Sequence, residues 1–146
     1  MKKELQSKDL RIGNLFIEKY RQKIIKVIQL NDEEIYFSGK FTGEWQAEPI
    51  LLNNDLLFAL GLIQSNDDKI SNGNKGNEYF IFENEINCSD FFIEISLGKL
   101  WFSMLSIGSH GDYENEYLKE IKYVHELQNL YFALTSKELK LKNVTP

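Results

Sequence analysis

The chain has 146 residues, of which 42% are hydrophobic and 13% aromatic, and its formal net charge is −5. This length is enough for one hydrophobic core and short for two, so we expect a single domain over residues 1–146, with 1–10 as a frayed lead-in and 142–146 as a tail. The acidic balance argues against general affinity for nucleic acid. A single cysteine, Cys88, excludes an internal disulfide and a multi-cysteine zinc site.

The sequence carries no signal for export or membrane insertion. Its first residues lack the apolar stretch of a signal peptide, and no apolar run approaches the roughly 18 residues of a membrane span. We therefore expect a cytoplasmic protein that does not contact a membrane.

Charge is distributed unevenly along the chain. Residues 1–30 carry eight basic and three acidic side chains, residues 31–120 carry five and seventeen, and residues 121–146 carry four and two. The two signs either neutralise each other in the fold or form separate basic and acidic faces. Neutralisation is the simpler interpretation.

The N-terminal third predicts a meander of three strands. A turn at residues 11–14 precedes the first of them, and short polar turns connect the rest. The predicted strands are Leu15–Lys19, Lys23–Leu30 and Glu34–Ser38.

A short helix is predicted after this meander. Pro49 bars its neighbourhood from central pairing in a sheet, and Asn53 or Asn54 stands where a helix N-cap is needed. The helix covers Asp55–Leu60 and ends at Gly61, a residue that enters the left-handed region without penalty. With barely two turns, it must dock on the sheet.

The second half predicts more strands, connected by loops at residues 64–77 and 106–117. Leu118–Tyr123 is predicted as a further strand that leads into the C-terminal helix, and Gly98-Lys99 as a two-residue hairpin turn. The other strands are predicted at Glu78–Glu83, Asp90–Leu97 and Leu100–Leu105.

Residues 121–135 form the most informative stretch, a longer helix with two distinct faces. At the helical period, one arc of about 120° collects the apolar side chains that face a core; these are Val124, Leu127, Leu130, Tyr131 and Leu134. The helix is expected to end near Thr135, before a short strand at Glu138–Leu141. Together these elements predict an α+β fold: a single domain with antiparallel strands in two meander-like groups, a short central helix, and a longer C-terminal helix packed on the sheet.

The neighbouring arc of this helix, which we call the amide face, consists of His125, Gln128, Asn129 and Phe132. A plain surface helix would carry Lys and Glu there. The amide face is either a second packing surface in a layered domain or a partner-binding surface, because an aromatic side chain ringed by amides resembles the centre of an interface. It would equally suit self-association into a homo-oligomer.

No segment carries a complete catalytic or metal-binding motif. Residues 106–112 offer hydroxyl, imidazole and carboxylate groups, but they do not form the G-x-S-x-G turn of a serine nucleophile, and a surface loop explains their composition. His110 and His125 are the only histidines, and they lack the spacing of a zinc site. We expect no catalysis, no metal and no cofactor.

The C-terminal sequence resembles a known group of proteins. Residues 121–135, followed by Ser136-Lys137-Glu138-Leu139, are similar to the C-terminal motif of short uncharacterised proteins of bacterial prophages and mobile elements, whose usual form reads YVHQLQNLYFALTG. Here Glu126 replaces a glutamine and Ser136 the final glycine. Residues 10–15 and 48–62 resemble the start and middle of the same group. The resemblance implies a mobile-element origin and no known chemistry.

Three functional hypotheses follow. The leading one is a non-enzymatic protein-interaction module, a phage or mobile-element accessory or anti-defence protein whose amide face binds a host or phage protein. The second is a nucleic-acid-associated protein that uses Arg21, Lys23 and Lys26 in the basic N-terminal region. The third is a small-molecule-binding protein or enzyme centred on His110 or His125.

Overall fold

Two antiparallel sheets and two helices make up the structure, a computed structural model that describes residues 6–32, 34–39, 47–65, 77–82, 91–107, 111 and 113–142. A 3₁₀ turn at Ser7–Asp9 precedes the first strand. The strands are β1 (Leu15–Glu18), β2 (Ile24–Leu30), β3 (Ile35–Phe37), β4 (Ala47–Pro49), β5 (Leu62–Gln64), β6 (Glu78–Phe82), β7 (Phe91–Ser96), β8 (Lys99–Ile107) and β9 (Tyr113–Ile121). The helices are α1 (Asn54–Ala59) and α2 (Val124–Thr135). The predicted α+β class is confirmed.

The first sheet has four strands in the order β3-β2-β1-β4. Its first three strands form the predicted meander. Strand β4 was not predicted, because Pro49 argues against pairing; the strand pairs with β1 alone among the described strands, and Pro49 lies opposite Phe16. This is the edge position that a proline tolerates.

The second sheet is a five-stranded meander in the order β5-β6-β7-β8-β9. Strands β6, β7 and β8 match the predictions, whereas β5 was missed. The predicted loop at residues 106–117 is wrong at both of its ends, because β8 extends to Ile107 and β9 begins at Tyr113 and pairs with β8; residues 108–110 and 112 lie outside the described residues. Strand β9 includes the predicted strand from Leu118 as far as Ile121. Side chains such as Glu116 and Tyr117 are exposed on this edge strand, so its composition resembles that of a loop although its backbone is in a ladder.

Both helices begin and end close to their predicted bounds. The Asn53 side chain accepts a hydrogen bond from the Leu56 N–H at 2.8 Å and caps α1, and Gly61 ends the helix with φ +94°. Helix α2 ends at Thr135 and is capped by Ser136, which has φ +58°, at the position where the motif that it resembles carries glycine. The predicted strand at Glu138–Leu141 is wrong: these residues form no ladder with any described strand, and the Leu139 carbonyl accepts a hydrogen bond from the Gln128 side chain instead.

The main core lies between the five-stranded sheet and the two helices. Strand β1 contributes to two cores, because Leu15 faces the main core and Phe16 the smaller core of the first sheet. The two sheets meet at one corner, where the Leu52 N–H donates to the Lys122 carbonyl and the Val124 N–H donates to the Ile50 carbonyl. Helix α2 starts at this corner and therefore lies against both sheets.

The hairpin between β7 and β8 turns one residue earlier than predicted. Ser96 pairs with Lys99, so the turn residues are Leu97 and Gly98, with φ of +52° and +76°. Two positive φ angles define a type I′ turn, which favours Asn-Gly. Leu97 is 99% exposed and strained.

We expect Leu97→Asn to raise the free energy of unfolding by about 1 kcal/mol in urea denaturation. Leu51→Asn, at an exposed site without positive φ, serves as the control. An equal gain in stability in Leu51→Asn would refute the turn explanation.

Candidate functional site

His125 of the amide face lies inside the protein. Its side chain is 8% exposed, and its ring stacks on those of Phe16 and Tyr123, with centroids 4.9 and 5.7 Å away. Its Nδ1 atom is buried and has no hydrogen-bond partner among the described residues. Burial lowers the pKa of His125, while the carboxylates of Glu126 and Asp9 act in the opposite direction. The imidazole is therefore held neutral between aromatic rings.

Gln128 connects α2 to two other parts of the chain. Its side chain is 2% exposed. The Oε1 atom accepts from the Leu15 N–H at 2.8 Å, and Nε2 donates to the carbonyls of Gly13 and Leu139, each at 3.2 Å. Both amide protons and the amide oxygen are thus used within the chain.

Asn129 holds the segment that leads into β1. Its Oδ1 atom accepts from the Arg11 guanidinium at 2.9 Å and from the Asn14 side chain at 2.8 Å, and its Nδ2 atom donates to the Asp9 carbonyl at 3.2 Å. This amide too is committed to internal contacts.

Phe132 is the member of the amide face that remains on the surface, with 37% of its side chain exposed. The Arg11 guanidinium lies 4.0 Å from the centre of its ring, and Arg11 also forms an ion pair with Glu138. The structure therefore brings the four predicted residues together, but three of them pack against the N-terminal segment and only Phe132 faces outward.

A groove lies next to this region, between the first sheet and the segment that follows α2. Its volume is about 420 Å³. Its apolar side chains are Ile12, Leu15, Ile24, Leu139 and Leu141, and its polar members are Gly13, Lys26, Gln128, Glu138 and Lys140.

Positive charge prevails along this groove. Glu138 is neutralised by Arg11, whereas Lys26 and Lys140 are exposed and form no ion pair with any other described residue. A ligand that is apolar and carries a carboxylate would complement both the lining and the two lysines.

Phe132 and the groove belong to one continuous surface. The Phe132 ring contacts Arg11, Arg11 pairs with Glu138, and Glu138 lines the groove. Ile12 is 60% exposed and also lines the groove. An arginine and exposed apolar side chains beside a groove are typical of the centre of an interface.

The three residues proposed for nucleic-acid binding are all exposed and belong to the β1–β2 hairpin. Lys26 lines the groove, whereas Arg21 lies in the turn between β1 and β2 and Lys23 just before β2. The turn is closed by Glu18, whose buried carboxylate accepts from the N–H groups of Tyr20 and Arg21 at 3.0 and 2.7 Å.

His110 and Cys88 lie outside the described residues. Within the described ranges, no group of three or more His, Cys, Asp or Glu side chains is placed to hold a metal ion. Nor does any described helix have the length and apolarity needed to cross a membrane. Comparison of the chain with protein-family models, curated proteins and solved structures gave no match.

Sequence reasoning missed most of the groove. Ile12 was assigned to a turn and Lys140 and Leu141 to a strand. Of the lining residues, Lys26 was singled out for nucleic-acid binding and Gln128 for partner binding. The signal available in the sequence was the alternation of Leu139, Lys140 and Leu141 after a helix exit. That pattern does not reveal which sheet the segment meets.

Acid is expected to destabilise the protein through His125. The pKa of His125 is lower in the folded protein than its ordinary value of about 6.5, so the unfolded chain binds more protons. The stability contribution of the neutral ring is complete above pH 6.5 and is lost as the pH falls through the folded pKa.

Urea denaturation at pH 7.5 and 5.5 measures this loss. His125→Phe, which keeps an aromatic ring in the stack, should lose less stability on acidification than the wild type. Gln64→Leu, at an exposed position of β5, changes no titratable group; it serves as the control and should lose as much as the wild type. If His125→Phe lost as much stability on acidification as the wild type, a group other than His125 would be responsible for the loss.

Proposed function

We propose that the protein is a non-enzymatic interaction module whose groove takes an apolar segment of a partner protein with a carboxylate beside it. The observation that carries the proposal is the combination of an apolar lining with the ammonium groups of Lys26 and Lys140, for which the described part of the chain supplies no ion-pair partner. The apolar side chains supply burial, and the lysines select an acidic neighbour in the partner.

A protein segment suits this surface better than a small molecule. The groove volume of about 420 Å³ lies within the roughly 300–1,000 Å³ of ligand pockets, but the exposed apolar surface extends beyond it to Ile12 and Phe132. A small ligand would leave that surface uncovered. A segment that continues past the groove would cover it and would place its own side chains against Arg11.

The partner class follows from the resemblance of residues 121–135 to short prophage and mobile-element proteins. We propose a host or phage protein as the partner, as expected for an accessory or anti-defence factor. The amide-rich part of that motif helps to form the groove, because the Gln128 side chain donates hydrogen bonds to the carbonyls of Gly13 and Leu139, and both of these residues line the groove.

Affinity purification from the native host, with quantitative mass spectrometry, tests the proposal. Ile12→Asp places an acid in the groove, and Leu51→Asp makes the same change at a residue of similar exposure, 65% against 60%, that does not line the groove. After both variants are shown to be folded, the partner should be lost from Ile12→Asp and kept by Leu51→Asp.

A second pair of variants separates this proposal from nucleic-acid binding. Lys26→Gln with Lys140→Gln removes two charges from the groove, whereas Arg21→Gln with Lys23→Gln removes two charges beside the β1–β2 turn. Partner affinity should fall in the first pair only. A partner lost equally from both, together with a steep dependence on salt, would favour nucleic acid and contradict the groove proposal.

A further inference from the structure

The first sheet keeps basic and acidic side chains at opposite ends of β2. Residues 19–23, which we call the basic tip, form the turn between β1 and β2, whereas Asp32 and Glu34 lie in the turn between β2 and β3. Strand β2 has seven residues and therefore spans roughly 20 Å. The screening length at about 0.1 M salt is about 10 Å, so the acidic turn does not neutralise the basic tip.

Three cations lie together in the basic tip. The side chains of Lys19, Arg21 and Lys23 are all exposed, and the sequence has no acidic residue at positions 19–31. Glu48 on the neighbouring strand β4 is half-buried and sets one carboxylate against these three cations. The basic tip therefore has a local excess of positive charge, although the whole chain is acidic.

Glu18 fixes the backbone of the basic tip. This residue is 5% exposed, and its carboxylate accepts from the N–H groups of Tyr20 and Arg21 at 3.0 and 2.7 Å. Its own N–H donates to the Lys23 carbonyl at 2.7 Å, and its carbonyl accepts from the Gln22 N–H at 2.8 Å. Because the carboxylate is used inside the turn and the backbone is already ordered, binding to the basic tip costs little conformational entropy of the loop.

Tyr20 places an aromatic ring among these cations. Its side chain is 64% exposed, and the Lys19 ammonium nitrogen lies 6.0 Å from the centre of its ring. Single-stranded nucleic acid binds to this combination, because a base stacks on the ring while cations contact the phosphates on either side. A duplex keeps its base faces stacked on each other. A membrane surface favours aliphatic side chains, which residues 19–23 lack.

We propose that the basic tip binds single-stranded nucleic acid, with Tyr20 as the stacking platform for one base and the three cations in contact with phosphates. Lys26, which the sequence grouped with Arg21 and Lys23, lines the groove instead. The proposed site is therefore separate from the groove, and it does not depend on the protein partner proposed for the groove.

Fluorescence anisotropy of a labelled oligothymidylate of about 12 nucleotides, titrated with the whole chain at about 50 mM salt, tests the site. Arg21→Gln with Lys23→Gln should weaken binding at least roughly tenfold. The double substitution should also reduce the slope of log affinity against log salt by about 1.4, because each phosphate contact of a single strand contributes about 0.7. Lys99→Gln with Lys122→Gln removes the same charge from exposed positions outside the first sheet and should change affinity less than about twofold.

Variants of Tyr20 separate a nucleic-acid site from a simple cluster of cations. Tyr20→Ala should weaken single-strand binding at least roughly fivefold and leave the salt dependence unchanged, whereas Tyr20→Phe keeps the ring and should bind as the wild type does. An oligothymidylate–oligoadenylate duplex of the same length should bind more weakly than the single strand. All the substituted side chains are exposed, so these variants should fold, and circular dichroism checks that they do.

Four results would overturn the proposal. They are the absence of saturable binding, equal losses in the two double variants, an unchanged affinity in Tyr20→Ala, and a duplex bound as tightly as the single strand. Vesicles of phosphatidylserine serve as a further arm. If the basic tip bound these vesicles and not the oligonucleotide, its ligand would be an anionic membrane and the proposal would fail.

Discussion

Replacing Gln128 with leucine is expected to lower the free energy of unfolding by about 4 kcal/mol, although leucine is of similar size and apolar. The reason is that the substitution removes the hydrogen-bond partner of three backbone groups. The Leu15 N–H and the carbonyls of Gly13 and Leu139 would each lose their Gln128 partner. Each buried polar group without a partner costs about 1–3 kcal/mol.

Urea denaturation of Gln128→Leu measures this cost, with Gln64→Leu as the control at an exposed position of β5. The control should change stability by less than about 0.5 kcal/mol. A loss below about 1 kcal/mol in Gln128→Leu would mean that the amide is dispensable to the fold. The amide face would then have to be reconsidered as a binding surface.

Phe16→Ala is the other substitution with a large expected effect, a loss of about 4 kcal/mol. The Phe16 side chain is fully buried; its ring meets Phe37 edge to face at 5.4 Å and stacks on His125 at 4.9 Å. Its removal leaves a cavity between the first sheet and α2. The substitution also removes one of the two rings on which His125 stacks.

Thermal and urea unfolding of Phe16→Ala, beside Phe58→Ala, would measure the contribution of this contact. Phe58 is 47% exposed, and its ring touches Phe80, so its truncation should cost only about 1 kcal/mol. Similar losses in the two variants would argue that the first sheet and α2 are loosely packed. A large and specific loss in Phe16→Ala would establish their docking.

Much of the fold could be predicted from local signals. Runs of β-branched and aromatic residues identified the strands that cross the middle of each sheet, and Asn53 and Gly61 marked the ends of α1. The misses were polar or short segments at sheet edges. Strand β9 has exposed side chains and β4 contains Pro49, so tertiary pairing, which local composition does not encode, decides their structure.

The candidate site was harder to predict because its parts are far apart in the chain. The helical period correctly grouped His125, Gln128, Asn129 and Phe132, but it could not show that residues 9–16 cover three of them. Gln128 and its partner Leu15 are 113 positions apart. The groove likewise joins Ile12, Lys26 and Lys140, which only the packing of the segment after α2 brings together.

Site-specific photo-crosslinking in the native host tests the central claim, that the groove receives an acidic, apolar segment of one partner protein. Ile12 is replaced by p-benzoylphenylalanine, Leu51 is replaced in a parallel control, and crosslinked peptides are identified by mass spectrometry. The expected result is one peptide, obtained only from position 12, with apolar residues next to Asp or Glu. Crosslinks from position 51 alone, or basic peptides from many proteins at position 12, would contradict the claim.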